Sequence, residues 1–291
     1  MTKQKTGVFD VVNCLIMAGL IIVTLYPLLY VLFASFSDPQ QFVEHEGALL
    51  LKPLGFTWIG YKMMFRDNMI VKSMFNTLFV VGASLVLQMT MTAITAYFLS
   101  RKDLLFKKVL FIMIVITMYI NGGLVPQYLI IKAYGLYDSL WALIFAGAIN
   151  TFNVIVLKSN FESIPDSLLE SAMVDGAKHI SILFRIVIPL SKASLAVILL
   201  YYAVANWNSW FPAMIFLNTR EKFPLQLILR QILIVNETSE MTTGMGAAER
   251  SFVNETIKYA TIIFSTMPII IVYPFLQRYF VKGVMVGAVK G

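Results

Sequence analysis

The sequence predicts an all-α polytopic membrane protein with six transmembrane helices. Three observations predict it. The 291 residues are 58% hydrophobic and only 13% charged, with a mean hydropathy of +0.77. Six apolar stretches reach the length of about 20 residues that a spanning helix needs. The excess of basic residues falls entirely on one side of the topology those stretches define. A soluble domain carries about 25% charged residues. A chain of this length still needs a water-facing surface, so much of its surface must face lipid.

The segments run approximately 11–36, 73–100, 109–131, 138–158, 192–217 and 257–280, and they form one transmembrane domain over residues 1–291. None alternates as a barrel strand would. Lys3 and Lys5 precede the first segment as they would a signal peptide. The apolar run from Val11 to Phe36 exceeds the roughly 7–15 residues of a signal core, so it reads as an uncleaved helix. The single cysteine, Cys14, lies inside this run and reads as a small buried apolar residue rather than part of a disulfide or C-x-x-C site. Gly122, Gly123 and Pro126 in the third segment, and Pro268 and Pro274 in the sixth, should break or bend their helices. The outer loops 37–72 and 218–256 are too short for a folded receptor. Any substrate-capturing protein is therefore a separate chain.

Orientation follows from the basic residues of short loops. Arg101, Lys102, Lys107 and Lys108 crowd one loop, whereas Ala133–Tyr137 on the other face is flanked by Lys132 alone. Placing the basic loop inside puts both termini and the 159–191 loop in the cytoplasm. That face then holds 13 basic and 6 acidic residues, and the other holds 10 of each. The formal charge of +7 is thus the signature of a membrane topology and not of nucleic-acid binding. His45 and His179 have no ligand-spaced partners, so no metal site is expected.

The 161–191 loop has the most specific pattern. Ser163 and Asp166 have capping-box spacing, with Pro165 tolerated in the first turn. A short helix should follow and stop at Gly176, which best takes a left-handed cap. A second should run from about Ile180 to Val187 and end before Pro189. Leu169, Met173 and Ala177 form an i, i+4, i+8 stripe. Exposed and rimmed by Glu170, Asp175 and Lys178, that stripe would suit docking into a groove of another protein.

The run Glu170-Ser171-Ala172-Met173-Val174-Asp175-Gly176-Ala177, followed by Ile186-Val187-Ile188-Pro189, resembles the EAA signature of ABC-importer permeases. Ser171 and Ile188 depart from the usual Ala and Leu. The C-terminal segment from Gln277 to Gly291, Asn206-Trp207-Asn208-Ser209-Trp210, and Asn121-Gly122-Gly123-Leu124-Val125-Pro126 are similar to MalG-like sugar permeases, nearer their LplC-like oligosaccharide branch. The resemblance implies a type I importer (MetI-like) permease fold in a bacterial plasma (inner) membrane. It implies that Glu170, Ser171, Ala172, Asp175, Gly176, Ala177, Ile186 and Pro189 couple the chain to an ATPase. The implied partners are a second homologous permease, a homodimer of ATPase subunits, and a solute-binding protein that is periplasmic or an extracellular lipoprotein. The chain has no G-x-x-x-x-G-K-[ST] loop. ATP and Mg belong to the partner ATPase, and no cofactor is expected here.

Polar groups at bilayer depth usually face a bundle interior or a water-filled cavity. Tyr119, Asn121, Asn150, Asn153, Asn206, Trp207, Asn208 and Trp210 are the candidate substrate-pathway residues, with Tyr201 and Tyr202 nearby. Neutral amides beside flat apolar rings suit a sugar. The same residues also read as interhelical glue or an aromatic belt. Peptide or amino-acid cargo is the alternative for the same architecture. An intramembrane transferase is the rival class, and it would need buried acid–base groups. The spans hold neither paired carboxylates nor histidine. The topology is checked by single cysteines in a Cys14→Ser background. Those at Glu46 and Glu240 should label from outside, and those at Lys107 and Asp175 should not; the reverse pattern contradicts the orientation.

Overall fold

The computed structural model describes residues 8–45, 47–235, 238 and 241–288. Lys3, Lys5, Glu46, Asn236, Glu237, Ser239, Glu240, Val289, Lys290 and Gly291, on which parts of the charge and motif reading rest, lie outside the described residues.

Among the described residues the secondary structure is helical, without strands. Helix α1 (Val8–Ser35) is a long apolar rod. Asp38 opens α2 (Pro39–Glu44) by accepting the Gln40 and Gln41 N–H groups at 3.1 Å, with Pro39 at the first turn, where no N–H is needed. Then come α3 (Ile59–Met64) and the 33-residue α4 (Asn68–Ser100). α5 (Lys107–Tyr119) and α6 (Leu124–Ala133) follow, then α7 (Leu140–Ala146) and α8 (Thr151–Glu162). α9 (Asp166–Val174) and α10 (His179–Ile182) lead through a π-turn, Leu183–Val187, into α11 (Ile188–Leu190). The chain closes with α12 (Lys192–Trp207), α13 (Phe211–Phe216), α14 (Leu225–Arg230) and α15 (Ala247–Ala288).

Three helices are long and apolar enough to cross a membrane: Val8–Ser35, Asn68–Ser100 and Glu249–Pro274. The count reaches six if each of three bent pairs is one span. α5 and α6 meet at 109°, α7 and α8 at 50°, and His179–Leu190 meets α12 at 87°. The Gly122–Pro126 break is where the sequence put it. Gly123 takes φ +86, and its N–H is held by Asn121 Oδ1 at 2.8 Å. In the last helix neither proline breaks the helix, and α15 runs uninterrupted through Pro268 and Pro274. Cys14 also differs from expectation. It is exposed, since α1 buries none of its apolar window within the chain.

The chain packs as two compact units. One comprises Met1–Val71 and Leu229–Met267. Its core joins Ala34, Phe42 and Leu50 to Tyr30, Phe33, Leu54 and Tyr259. α3 lies so close to α15 that a β-carbon at Gly60 would stand 2.9 Å from the Thr256 carbonyl oxygen. The other unit comprises Lys72–Ile228 and Pro268–Gly291, and it contains the three bent pairs.

In this second unit Asp138, at φ +55, staples two loops together. Its carboxylate accepts the Asn218 and Thr219 N–H groups and the Thr219 hydroxyl at 2.9, 2.9 and 2.6 Å, and pairs with Lys222 Nζ at 2.9 Å. The Lys222 ammonium, then Thr219, hold this carboxyl far below the usual carboxylate range. A depressed acid stabilises the fold above its ordinary pKa and loses that contribution only as pH falls through the depressed value. Asp138→Asn keeps a residue that tolerates the left-handed region and removes the charge. It should lower unfolding stability by about 1–2 kcal/mol. The gap should stay constant between about pH 5 and 8, as followed by thermal unfolding of the purified protein.

Candidate functional site

The 161–191 loop is built on the second unit's core. Leu169 of α9 is 2% exposed and packs with Leu157, Phe161, Ile182 and Leu183. Three ion pairs or polar contacts add to this anchor: Lys102 with Asp166, Lys107 with Glu162 at 2.9 Å, and Tyr97 Oη with His179 Nδ1 at 3.2 Å. The Lys102 ammonium also draws the Asp166 carboxyl below its ordinary range. Exposed pairs are worth about 0–1 kcal/mol each, whereas truncating a buried leucine costs about 2–5 kcal/mol. Leu169 therefore holds the loop more firmly than its charges do.

Three expectations for this loop are corrected. Ser163 does not open α9: its hydroxyl donates to the Asn160 carbonyl at 2.7 Å and closes α8, while Pro165 occupies the cap position without a side-chain bond. The Leu169–Met173–Ala177 stripe is not exposed along its length: Leu169 is buried and Ala177 packs on the same core, and only Met173, 39% exposed, faces outward. The outward surface of α9 instead carries Leu168, Glu170, Ser171 and Val174, the last 88% exposed. Finally, the second helix does not stop before Pro189. The wider π-turn at Leu183–Val187, where the Ile188 N–H reaches the Leu183 carbonyl, carries the helix through the proline to Leu190.

The glycine stop is as expected. Gly176 takes φ +81; its N–H donates to Met173 O at 3.0 Å, and the Ala177 N–H donates to Ala172 O at 2.9 Å. These two bonds define a Schellman cap. Ala172, Ala177 and Ile186 are partly buried against the core, whereas Glu170, Ser171, Asp175, Gly176 and Pro189 are exposed.

The mid-span polar residues gather where the helices break. Asn150 Oδ1 caps α8 through the Asn153 N–H at 3.1 Å, and Asn153 is buried. The Asn150 N–H donates to Tyr202 Oη at 3.0 Å, and that hydroxyl is 2.7 Å from Thr92 Oγ1. Asn206 Nδ2 donates to Gln88 Oε1 at 2.8 Å, while Gln88 Nε2 donates to the Gly147 carbonyl at 2.8 Å. Thr117 and Thr151 hydroxyls meet at 3.1 Å, joining the end of α5 to the start of α8. A cavity of about 130 Å³ opens beside this layer, lined in part by Gln127, Gly147, Asn206 and Ser209.

Asn150 thus acts as a cap and Asn206 as an interhelical bond, while Asn153 is buried at the start of α8. Trp207 is buried, and Trp210 is half-buried with its ring edge-to-face against Phe211 at 5.6 Å. Tyr119 and Asn208 are exposed, and the Asn208 amide bonds back to Val204 O. Asn121 is exposed and bonds only locally, to Gly123. Gln88 and Thr92 are the connecting residues absent from the sequence candidates. The amide of Gln88 in the middle of an apolar 33-residue helix was the available signal.

A helical chain with bent spans joined by a polar layer, and a capped knob at one end, has the form of a membrane transport subunit. The chain belongs to the family described as binding-protein-dependent transport system inner membrane component, matched over residues 96–286. It is a multi-pass inner-membrane permease of the ABC-importer class with a MetI-like fold, a transport subunit and not an enzyme. It is 40% identical to the polygalacturonan/rhamnogalacturonan transport system permease protein YtcP of Bacillus subtilis, over 99% of this chain and 100% of that protein. It is 37% identical to protein LplC of the same organism, over 100% and 98%. Among solved structures it is similar to a bacterial ABC transporter involved in the import of the acidic polysaccharide alginate. The TM-score is 0.85 at 30% identity, covering 96% of this chain and 99% of that one.

Proposed function

We propose that this chain forms half of the translocation pathway of an importer for a sugar or oligosaccharide, with a second homologous permease as the other half. The observation that carries the proposal is full-length likeness, in sequence and in backbone, to permeases named for polysaccharide transport. Nothing comparable favours peptide or amino-acid cargo. The family description supports a separate solute-binding protein. Both termini lie in the cytoplasm on this reading, with the substrate passing near the polar layer. Exposed Tyr119, Asn121 and Asn208 and half-buried Trp210 are better placed to meet a sugar than buried Asn153 and Trp207.

Coupling runs through α9. Glu170, Ser171 and Asp175 present an exposed polar edge, and Ala172, Ala177 and Ile186 fix that edge to the core beneath. Motion of an ATPase pair against α9 would therefore pass into α8 and α12, which pack on the same core through Leu157, Phe161 and Ile198. ATP and Mg act on the partner.

Gly176→Val forces a β-branched residue into φ +81, a region disfavoured by about 1–2 kcal/mol. A β-carbon there meets nothing within 4 Å in this chain, so the effect is on cap geometry and docking, not on internal packing. Gly176→Val and Glu170→Lys should leave the protein in the membrane and abolish uptake by the reconstituted complex. ATPase activity and ATPase co-purification then separate uncoupling from lost docking. If both variants assemble and transport at the wild-type rate, the loop is not the coupling element.

A further inference from the structure

We propose that the groove between α4 and the α10–α11 segment is a binding site for an anionic phospholipid. A cavity of about 600 Å³ lies beside the end of α4, walled by Ile94, Phe98, Leu105, Ile180, Leu183 and Phe184. Ile94, Leu183 and Phe184 also line a second cavity of about 180 Å³ that reaches Met89 and Leu195. The two therefore form one apolar groove along α4 from Arg101 to Met89. Twelve residues of helix at 1.5 Å each make it about 18 Å long. That matches the depth of one leaflet, about half of a 30 Å hydrocarbon core.

The two ends of the groove differ in charge. Arg101 stands at the mouth, one residue beyond the span. Its guanidinium lies 4.8 Å over the Tyr97 ring, and Nε and Nη2 share the Ser100 hydroxyl at 3.2 and 2.9 Å. No carboxylate among the described residues lies within ion-pairing distance of it, and Nη1 remains available. Tyr97, Asp103 and His179 are the other titratable groups lining this mouth, and the Asp166 carboxylate, bonded to Lys102, also feels the Arg101 charge. Lys102 and Lys107 are taken by Asp166 and Glu162, which leaves Arg101 and the exposed Lys108 against Asp103. An apolar slot one leaflet deep with a cationic mouth at the membrane boundary fits a lipid acyl chain with a phosphate above it. Phe98 and Phe184, each at least half exposed, form the walls the chain would cover.

The test uses the assembled transporter carrying a photo-reactive residue at Phe184, in vesicles of equal phosphatidylglycerol and phosphatidylcholine. Irradiation should give lipid adducts enriched in phosphatidylglycerol. Arg101→Gln should reduce that enrichment by about tenfold while lipid adducts persist. Ile94→Trp, which fills the slot, should lower adducts of both lipids. Adducts to a protein chain would show that a partner subunit covers the groove and would overturn the proposal. So would equal labelling of the two lipids, or an enrichment unchanged by Arg101→Gln. The photo-reactive probe carries neither substitution, so it decides the matter even if a variant fails to assemble.

Discussion

A bent span exposes backbone groups that no helix satisfies, and in lipid there is no water to take them. The second unit meets this constraint with one unbroken helix. α4 carries Ser73, Thr77, Ser84, Gln88 and Thr92, all buried, along a single stripe. Thr77 Oγ1 accepts the Leu225 N–H that begins α14, at 2.8 Å. Gln88 takes the Gly147 carbonyl left over where α7 ends. Thr92 fixes the Tyr202 hydroxyl, which in turn accepts the Asn150 N–H at the start of α8. The α7–α8 break is thereby tied to the unbroken α4, directly through Gln88 and through Tyr202 as one intermediary, and the start of α14 is tied to it through Thr77.

The magnitudes show which of these bonds matters most. A side-chain pair between membrane helices averages about 0.6 kcal/mol, so the Gln88–Asn206 amide pair alone is a minor contributor. An orphaned backbone group in hydrocarbon costs several kcal/mol. The Gln88–Gly147 and Tyr202–Asn150 bonds are therefore the ones that make the α7–α8 break tolerable. In its last turn the same helix carries Tyr97, whose hydroxyl meets His179 of the knob. Polar layer and knob thus share a single support.

The apolar runs that make the long helices were legible in the sequence, because length and charge depletion alone define α1, α4 and α15. The Gly122–Gly123 break and the Gly176 cap were legible too, since both rest on a backbone conformation that favours glycine. The α7–α8 break was not, whereas the α11–α12 break falls between the loop helix and the span that the sequence already separated near Pro189 and Lys192. Ala148 and Ile149, between α7 and α8, look like any span residues, and the Gly147 carbonyl at the bend is satisfied by Gln88, distant in sequence. The stripe Leu169–Met173–Ala177 was correctly placed on one helical face and assigned to the wrong neighbour. Periodicity identifies an apolar face without saying whether it meets its own core or another chain. Asn206 was picked out for its polarity, but its partner lies 118 residues away on α4.

The central claim is that α4 supplies the hydrogen bonds that the α7–α8 break lacks. Hydrogen–deuterium exchange of the backbone from Gly147 to Asn153 tests it most directly, with Gln88→Leu and Tyr202→Phe compared against Val86→Ala on the exposed side of α4. Both polar substitutions should lower protection across this segment, and Tyr202→Phe should do so by removing the acceptor of the Asn150 amide itself. Val86→Ala should change nothing there. Protection of Gly147–Asn153 that stayed at the wild-type level in both polar variants would contradict the account.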